Sequence, residues 1–347
     1  MNKIEKEYLL VKRDRTLKSL NKAYNPLLKT EVLIFCYTYN HEKYIAECLN
    51  GMINQLVNFN VKIIVHDDNS TDSTLKIVNE YAKRYPNLIE VISQKKNLYD
   101  PAHGLLPIFC FLRKFHEGNF IAVCEGDDYW TDPYKIAFQK KVMEHNPKLS
   151  FCTHKVNVMD DKTKEITRTI PARKFKLRSG IIDSQNFVEL TSIRYPFQTS
   201  SYFFRTIDFS NYLDNLPDFA KIMPTEDEGL LLFFGQLGDT LYIDKPMSTY
   251  RKFSEGSWSN DHKNSTSNHQ GNARLERMIE SVKKFDEYTD FRFHEACGKR
   301  IIKHEFRILM NNGHLDKIFN NKQLRIYFRT KYPKDYWSYK VRRLFKK

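Results

Sequence analysis

Hydrophobic and polar residues in the first third of the chain alternate between the period of a β-strand and that of an α-helix. The β-type run Val32–Tyr37 is followed by Tyr44–Leu56, whose apolar residues share one helical stripe, and then by the β-type run Val61–Val65. Further strands are predicted at Leu88–Ile92 and Phe120–Cys124. Strands and helices that alternate through short connections indicate an α/β fold with a mostly parallel sheet flanked by helices.

The rest of the chain predicts strands and helices in a less regular order. The predicted strands are Leu149–Val158, Ile166–Phe175, Ser200–Arg205 and Thr240–Arg251. The predicted helices run from Leu105 to Phe115, Pro133 to His145, Asp183 to Leu190 and Glu226 to Phe234. Residues 254–272 are polar and rich in Ser and Asn, which predicts a loop or lid, and residues 273–347 have helical patterns.

Acidic clusters directly follow two of the predicted strands. Asp67 and Asp68 come after one strand, and Glu125, Asp127 and Asp128 come after another. In sheets of this kind the carboxyl ends of parallel strands lie at one edge, where ligands bind. We therefore expect both clusters to open onto the same edge of the sheet.

The chemistry of these clusters points to a metal ion. Several carboxylates in one cleft repel one another unless a cation lies among them, and oxygen ligands suit Mg²⁺ or Mn²⁺. The second cluster therefore predicts a divalent-cation site, although a turn that caps the helix near Pro133 would explain one of its aspartates. Taken alone, the first cluster is equally typical of a phosphoryl-accepting receiver domain, and Tyr39 fits either a base-stacking residue or a core tyrosine.

Composition and motifs exclude several classes of protein. The 347 residues are 41% hydrophobic, which is enough for a sizeable core, and the longest apolar runs are far shorter than a membrane-spanning helix. No G-x-G-x-x-G or G-x-x-x-x-G-K-[ST] sequence is present, which argues against a dinucleotide dehydrogenase and a P-loop NTPase. The 6 cysteines lack zinc-site spacing, so free thiols in a reducing compartment are expected.

Four segments, in matching order, resemble the motifs of family-two glycosyltransferases with the GT-A fold. Residues 32–45 resemble the opening strand and turn of that family, and residues 65–72 resemble its second strand motif. Glu125–Trp130 resembles the D-x-D region, and Glu226-Asp227 with residues 238–251 resembles the acceptor-side helix and strand. The similarity covers residues 31–260 and leaves both ends of the chain outside it.

The resemblance implies roles for individual residues. Tyr39 matches the residue that packs on the uracil ring, and Asp68 matches the carboxylate that reads the N–H edge of that base. Asp127 matches the direct metal ligand, whereas Glu125 holds the first acidic place of the triplet, where the family usually has Asp. Asp227 matches the catalytic base.

Further residues are expected near the substrates on the same grounds. Asp128 matches the neighbour of the metal ligand near the donor sugar, and Glu226, beside the base, is expected to be catalytic together with Asp227. The other expected phosphate, donor or acceptor contacts are Trp130, Arg205, Arg251 and Trp258.

The function implied by the resemblance is an inverting, metal-dependent glycosyltransferase. The expected donor is a nucleotide-diphosphate sugar, with UDP as the expected nucleotide, a hexosyl or N-acetylhexosaminyl group as the cargo, and Mn²⁺ or Mg²⁺ as the cofactor. The expected acceptor is a hydroxyl of a growing glycan, either free or lipid-linked, in cell-surface polysaccharide biosynthesis such as that of lipopolysaccharide or capsule. Two alternatives stay open: a sugar-1-phosphate nucleotidyltransferase and a non-catalytic protein that binds a membrane surface.

Positive charge is concentrated at the two ends of the chain. The net charge is +14, with eight Lys or Arg against three acids in residues 1–30 and nine against one in residues 323–347, where seven aromatics are interleaved. Basic, aromatic-rich helices suit an anionic membrane surface, and the alternative is a helix that packs its aromatics on the body of the protein. No nucleic-acid-binding motif accompanies the charge. Because the N-terminal sequence has no apolar signal region, we expect a cytoplasmic protein, peripheral on the inner membrane.

These patterns predict three parts of the chain. Residues 1–30 form a basic helical N-terminal segment, and residues 261–347 a basic, aromatic helical region. Residues 31–260 form the glycosyltransferase domain, in which 31–148 bind the nucleotide sugar and 149–260 bind the acceptor.

Overall fold

The structure of the protein is a computed structural model that describes residues 2–99, 106–110, 118–193, 196–254 and 268–344. The described residues form two compact units. The sheet unit contains the residues up to Leu216 and residues 225–254, and the helical unit contains Pro217–Pro224 and residues 268–344. Trp258, most of the predicted loop and most of the helix predicted over Leu105–Phe115 lie outside the described residues.

The described part of the sheet unit consists of twelve strands and nine helices. The strands are β1 (Lys18–Ser19), β2 (Thr30–Thr38), β3 (Leu56–Val57), β4 (Asn60–Asp67), β5 (Ile89–Ser93), β6 (Phe120–Glu125), β7 (Tyr129–Trp130), β8 (Leu149–Asp160), β9 (Ile166–Ile170), β10 (Gly180–Ile182), β11 (Phe203–Arg205) and β12 (Asp239–Lys252). The helices are α1 (Lys3–Lys12), α2 (Leu20–Ala23), α3 (Ile45–Ile53), α4 (Thr74–Arg84), α5 (Leu106–Phe109), α6 (Lys135–His145), α7 (Ser184–Ile193), α8 (Thr206–Asp214) and α10 (Glu226–Leu237).

Ten of the strands form one mixed sheet. Its strand order is β10-β12-β8-β11-β6-β2-β4-β5, and β7 and β9 pair with β12 and β8. Strands β6, β2, β4 and β5 are parallel, and so are β8 and β12. The other pairs are antiparallel, since β11 enters between β6 and β8 in the opposite direction. The predicted α/β fold is confirmed, with the parallel arrangement concentrated in the first half of the chain.

The central strands are buried because helices cover the sheet. In β2 every residue from Val32 to Thr38 is buried, as expected for a parallel strand with both faces covered. The apolar stripe of α3 is buried as the sequence predicts, at Ile45, Cys48, Leu49, Met52 and Ile53. Full burial of one such large side chain contributes about 1.5–3 kcal/mol. All six cysteines are free thiols.

Several elements differ from the sequence prediction. The strand predicted over Ile166–Phe175 ends at Ile170, because Pro171 has no N–H to continue the ladder, and a 3-10 turn follows. The strand predicted from Ser200 begins only at Phe203, after another 3-10 turn. The two-residue strand β7 is too brief to produce a clear periodic pattern, and the nine-residue helix α8 is also absent from the prediction.

The helical unit brings together two separate segments of the chain. Its helices are α9 (Asp218–Ile222), α11 (Asn268–Tyr288), α12 (His294–Asn311), α13 (Leu315–Asn320), α14 (Lys322–Lys331) and α15 (Pro333–Leu344). Helix α11 therefore begins inside the predicted loop over residues 254–272. Phe219 of α9 packs against Phe285 and Tyr288 of α11, with ring centroids 5.1 and 5.4 Å apart. Among the described residues, no helix combines the length and apolar character needed to cross a membrane.

Candidate active site

The carboxyl ends of three parallel strands meet at one edge of the sheet. The register pairs Thr38 of β2 with Asp67 of β4, and Tyr37 of β2 with Glu125 of β6. The acidic clusters after β4 and β6 therefore lie at the same edge, as the sequence predicts. We call this edge, with the turns that follow β2, β4 and β6, the acidic edge.

The turn after β4 is closed by its own aspartates. Asp67 Oδ2 accepts a hydrogen bond from the N–H of Ser70 at 3.1 Å. The two carboxylate oxygens of Asp68 accept from the N–H groups of Leu98 and Tyr99, at 2.7 and 3.1 Å. Asp68 thus holds the segment after β5, and each of its oxygens retains a lone pair for a further donor such as a base N–H.

The turn after β2 carries Tyr39, whose side chain is 38% exposed. The next residue, Asn40, has a φ of 55°, a left-handed conformation that asparagine tolerates better than most residues. Asn40 ties this turn to the turn after β4, because its N–H donates to Ser70 Oγ at 3.0 Å and its side chain accepts from the N–H of Thr71 at 2.8 Å. An exposed ring therefore stands beside the turn that carries Asp68.

The turn after β6 approaches the end of β2 at Gly126. The N–H of Gly126 donates to the carbonyl oxygen of Tyr37 at 2.9 Å. A Cβ on Gly126 would lie 2.5 Å from Thr38 Oγ1 and 2.8 Å from His41 Nδ1, far inside van der Waals contact. Glycine is therefore required for this turn to reach the acidic edge.

The two aspartates of this turn have different partners. Asp128 is fully buried, and its carboxylate accepts from Gln198 Nε2 at 2.7 Å and from the N–H of Arg251 at 2.9 Å. Asp127 is 5% exposed, and its Oδ2 accepts from Ser254 Oγ at 2.8 Å. Within the described residues, Asp127 Oδ1 accepts no hydrogen bond.

Arg251 supports the turn from behind. Its guanidinium donates to the carbonyl oxygen of Asp127 at 2.5 Å and forms an ion pair with Glu47. It also lies between the rings of Tyr44 and Tyr129, 5.1 and 4.5 Å from their centroids. This guanidinium is buried and engaged by protein groups, and the expectation that Arg251 contacts phosphate or acceptor stays a prediction.

Burial and mutual repulsion alter the ionisation of the acidic edge. Burial, followed by the charge of Asp127, raises the pKa of Glu125 to about 8. The same two causes raise the pKa of Asp128 well above its ordinary value. Burial and the charge of Glu125 also raise the pKa of Tyr37, whose hydroxyl donates to Glu125. The edge thus holds more carboxylates than its donors compensate, and a nearby cation would favour their ionised forms.

Asp227 lies in the first turn of α10, within electrostatic reach of this cluster. Its charge contributes to the raised pKa values of Glu125 and Tyr37. The neighbouring Glu226 is 5% exposed, and its charge, after burial, raises the pKa of Tyr212. Asp227 is therefore close enough to the acidic edge for its charge to raise the pKa of Glu125.

Two further candidates lie away from the acidic edge. Arg205 pairs with Phe120 at the amino end of β6, and its guanidinium donates to the carbonyl oxygen of Met143 at 2.7 Å. Trp130 is 3% exposed, and its indole N–H donates to the carbonyl oxygen of Ser200 at 3.0 Å. Arg205 therefore lies at the opposite end of β6 from the acidic edge, and Trp130 lies in the core. Their contact with substrate stays a prediction.

Sequence reasoning missed Gln198 and Ser254, which hold Asp128 and Asp127. Gln198 begins the polar run 198–201, which lies between the fully buried aromatics Phe197 and Tyr202. A polar run between core aromatics is the one signal that could have indicated a buried hydrogen-bonding network. Ser254 follows the last strand, and nothing in the surrounding sequence distinguishes it.

The acidic edge can contribute to a metal site without forming a complete one. Across the part of the chain that is described, no group of three or more His, Cys, Asp or Glu side chains is arranged to hold a metal ion. Mg²⁺ and related ions commonly bind through one or two carboxylates and take their remaining ligands from substrate phosphates and water. Asp127, with one oxygen held by Ser254 and the other without a donor among the described residues, fits that mode of binding.

The fold is similar to that of solved glycosyltransferases. Residues 1–349 of S. aureus TarS, in complex with UDP-GlcNAc, match with a TM-score of 0.59 at 20% identity, over 81% of this chain and 73% of that chain. The mannosyltransferase PcManGT from Pyrobaculum calidifontis, in complex with GDP-Man and Mn²⁺, matches with a TM-score of 0.52 at 14% identity, over 97% of this chain and 90% of that chain. The sheet with its acidic edge thus defines a protein of the GT-A class.

The sequence places the chain within that class. Residues 33–208 match Glycosyl transferase family 2, a segment that includes both acidic turns. An uncharacterized protein of Mycobacterium tuberculosis is 31% identical over 255 residues, which cover 72% of this chain and 68% of that protein. The chain belongs to glycosyl transferase family 2 and is a glycosyltransferase.

Proposed function

We propose that the protein moves a sugar from a nucleotide-diphosphate sugar to a hydroxyl of a growing cell-surface glycan, with inversion at the anomeric carbon. The observation that carries this proposal is the meeting of Glu125, Asp127, Asp128 and Asp227 at one edge of the sheet. Two of these carboxylates are nearly buried, and protein donors compensate them only in part. Such an arrangement suits a diphosphate that arrives with its own divalent cation.

The donor would bind across the turns after β2 and β4. The exposed ring of Tyr39 offers a stacking surface for the base, and the carboxylate of Asp68 offers an acceptor for a base N–H. Solved relatives of the same fold hold UDP-GlcNAc and GDP-Man, which supports a nucleotide-sugar donor. We propose UDP as the nucleotide, since a uracil N–H matches the acceptor that Asp68 presents.

Asp127 would hold Mn²⁺ or Mg²⁺ against the diphosphate. When bound, the ion supplies positive charge that stabilises the leaving diphosphate. Ser254 and the carbonyl contact of Arg251 fix Asp127, so that its second carboxylate oxygen is oriented before substrate binds.

Asp227 would act as the base that accepts the proton of the incoming hydroxyl. A single displacement with the base on the face opposite the leaving group inverts the anomeric configuration. Proton transfer of this kind typically contributes about 10²–10⁴-fold to the rate. The proposed cargo is a hexosyl or N-acetylhexosaminyl group.

The test is UDP release from a panel of UDP-sugars with Mn²⁺, followed by an acceptor screen. Asp227→Asn should bind UDP with near wild-type affinity and lose about 10²–10⁴-fold in transfer. Glu226→Gln, at the neighbouring residue whose charge raises the pKa of Tyr212, is the matched control, with a smaller expected loss. Near wild-type turnover of Asp227→Asn would disprove the assignment of the base.

The helical unit would bring the enzyme to an anionic membrane surface that carries the acceptor. Ile326, Tyr332 and Trp337 of this unit are 42–52% exposed, within a sequence dense in Lys and Arg. Exposed aromatics beside basic residues suit lipid headgroups. The double variant Ile326→Ala/Trp337→Ala should float less with anionic vesicles, whereas Ile207→Ala, at an exposed position of the sheet unit, should not. Equal flotation of both variants would argue that the helices serve only the fold.

A further inference from the structure

A cavity of about 640 Å³ lies behind the turn after β6. It is formed by the start of α3, by β7, by the β8–β9 hairpin and by the end of β12. The lining residues are Lys43, Tyr44, Glu47, Tyr129, Met159, Asp161, Lys162, Lys164, Arg251 and Phe253. Tyr39, Asp68 and Asp227 do not contribute to it, so this pocket is distinct from the proposed donor and base positions.

The inner wall of the pocket is held by connected polar contacts. Arg251, 3% exposed, is stacked between Tyr44 and Tyr129 and lies 3.8 Å from an oxygen of Asp161. The hydroxyl of Tyr44 donates to Asp161 Oδ2 at 2.8 Å. Tyr44 is buried, and Asp161 is largely shielded from solvent. A pocket wall fixed in this way needs no rearrangement to accept a ligand.

The charge of the pocket is opposite to that of the acidic edge. Three lysines and one arginine line it, against one glutamate and one aspartate. Both acids are engaged by residues of the pocket wall. Glu47 forms an ion pair with Arg251, and Asp161 accepts from Tyr44 and from Lys164 Nζ. Lysines on flexible stems at the rim attract a phosphate or carboxylate group, and the side chains of Tyr129 and Phe253 add apolar lining suited to the C–H groups of a sugar.

The pocket and the acidic edge share one turn. Tyr129, on the pocket side, directly follows Asp128, on the active-site side. Arg251 lines the pocket and also donates to the carbonyl oxygen of Asp127 and, through its backbone N–H, to Asp128. The pocket lining is therefore connected to the carboxylates proposed to act on the donor through Tyr129 and Arg251.

We propose that this pocket binds a negatively charged sugar unit of the acceptor glycan, one that carries a phosphate or a carboxylate. The proposal rests on the proposed function, since it assumes that the substrate of the acidic edge is a glycan. It names the class of acceptor: an acidic carbohydrate, of which one anionic unit lies in the pocket while a hydroxyl elsewhere on the chain reaches the acidic edge. The alternative occupant is the donor diphosphate itself, and the experiment separates the two.

The experiment measures binding before it measures activity. Binding of a phosphorylated oligosaccharide, of its dephosphorylated form and of a uronic-acid oligosaccharide is titrated by calorimetry, with UDP plus Mn²⁺ as a separate titration. The double variant Lys43→Gln/Lys162→Gln should weaken binding of the anionic ligands about tenfold at low salt, since it removes two screened charge contacts. It should leave the neutral ligand and UDP unchanged. The matched control is Lys76→Gln/Lys83→Gln, two exposed lysines of α4 that do not line the pocket.

The outcomes distinguish this inference from the proposed function. A loss confined to anionic oligosaccharides, with kcat for a neutral acceptor unchanged, supports the acceptor pocket, and the phosphate and carboxylate arms then show which group it prefers. Weaker UDP binding in the pocket variant would overturn the proposal by assigning the pocket to the donor. Equal affinity for charged and neutral ligands in the wild-type protein would also overturn it. If no sugar is transferred to any acceptor while anionic binding still depends on Lys43 and Lys162, the proposed function fails but the site stands.

Discussion

The acidic turns after β4 and β6 follow neighbouring parallel strands and lie at the same edge of the sheet, yet their carboxylates are compensated differently. Asp67 and Asp68 accept backbone N–H groups from Ser70, Leu98 and Tyr99. In the turn after β6, by contrast, carboxylates crowd one another, and burial with mutual repulsion raises the pKa of Glu125 to about 8.

The difference shows that an acidic pair after a strand does not by itself define a charge-binding site. Backbone amides are fixed donors. By accepting from them, the carboxylates of the first turn hold neighbouring chain segments in place, in addition to any role in ligand binding. The second turn depends on side chains from distant segments, Gln198 and Ser254, and its excess negative charge is relieved by protonation or by a bound cation. A substitution in the second turn should therefore affect chemistry more than the equivalent substitution in the first.

The largest effect is expected from Asp127→Asn. Loss of this carboxylate removes the proposed metal ligand, so transfer should fall about 10³-fold, and calorimetry should detect no Mn²⁺ uptake in the presence of UDP. Asp68→Asn is the paired control: it should keep Mn²⁺ uptake and weaken UDP binding about tenfold. Comparable loss of Mn²⁺ uptake in both variants would erase the distinction between the two turns.

An intermediate effect is expected from Gln198→Leu, which removes the side-chain donor to the buried Asp128. A hydrogen bond to a charged group contributes about 1.5–3 kcal/mol, so kcat should fall about 10–100-fold with little change in the KM for donor. Gln139 is also fully buried, but it donates to the carbonyl oxygen of Ser201. Gln139→Leu should therefore lower the melting temperature while sparing kcat. Equal losses of kcat in the two variants would mean that Gln198 acts only through the fold.

The smallest effect concerns the pH dependence of stability without metal or nucleotide. The pKa of Glu125 is raised from 4.5 to about 8, so the folded state holds this proton more tightly than the unfolded chain. Its contribution to stability is complete below pH 4.5 and is lost as the pH rises to about 8. Because Glu125→Gln cannot ionise at this position, its melting temperature should fall less over this interval than that of the wild-type protein. The expected difference between the two is about 2–4 °C.

The control for this titration is Glu80→Gln, at an exposed position of α4. Its melting curve should follow that of the wild-type protein at every pH. If Glu125→Gln also follows the wild-type profile, the carboxylates of the second turn are compensated as well as those of the first.

Sequence alone predicts the parallel half of the sheet and the meeting of the acidic clusters. Parallel strands buried on both faces produce continuous apolar runs such as Val32–Tyr37, and their carboxyl ends must share an edge. That argument needs only the direction of the strands, and for this reason it also leads to the correct fold class.

The surroundings of the site depend on packing that no local pattern encodes. Arg205 lies beside the amino end of β6, away from the acidic edge, because β11 runs antiparallel to β6. Arg251 and Trp130 look like substrate contacts in the sequence, but distant residues engage both. Gln198 reaches Asp128 across 70 positions of the chain, a contact that only tertiary structure creates.

The segment Pro217–Pro224 determines where the chain can be divided into separate units. The segment leaves the sheet unit in mid-chain, and its Phe219 is fully buried against α11, where Ser281 Oγ donates to the Phe219 carbonyl oxygen at 2.7 Å. A chain truncated before α11 would therefore retain Phe219 but lose the helix that buries it. Recombination that exchanges the C-terminal helices between related proteins would also have to exchange Pro217–Pro224.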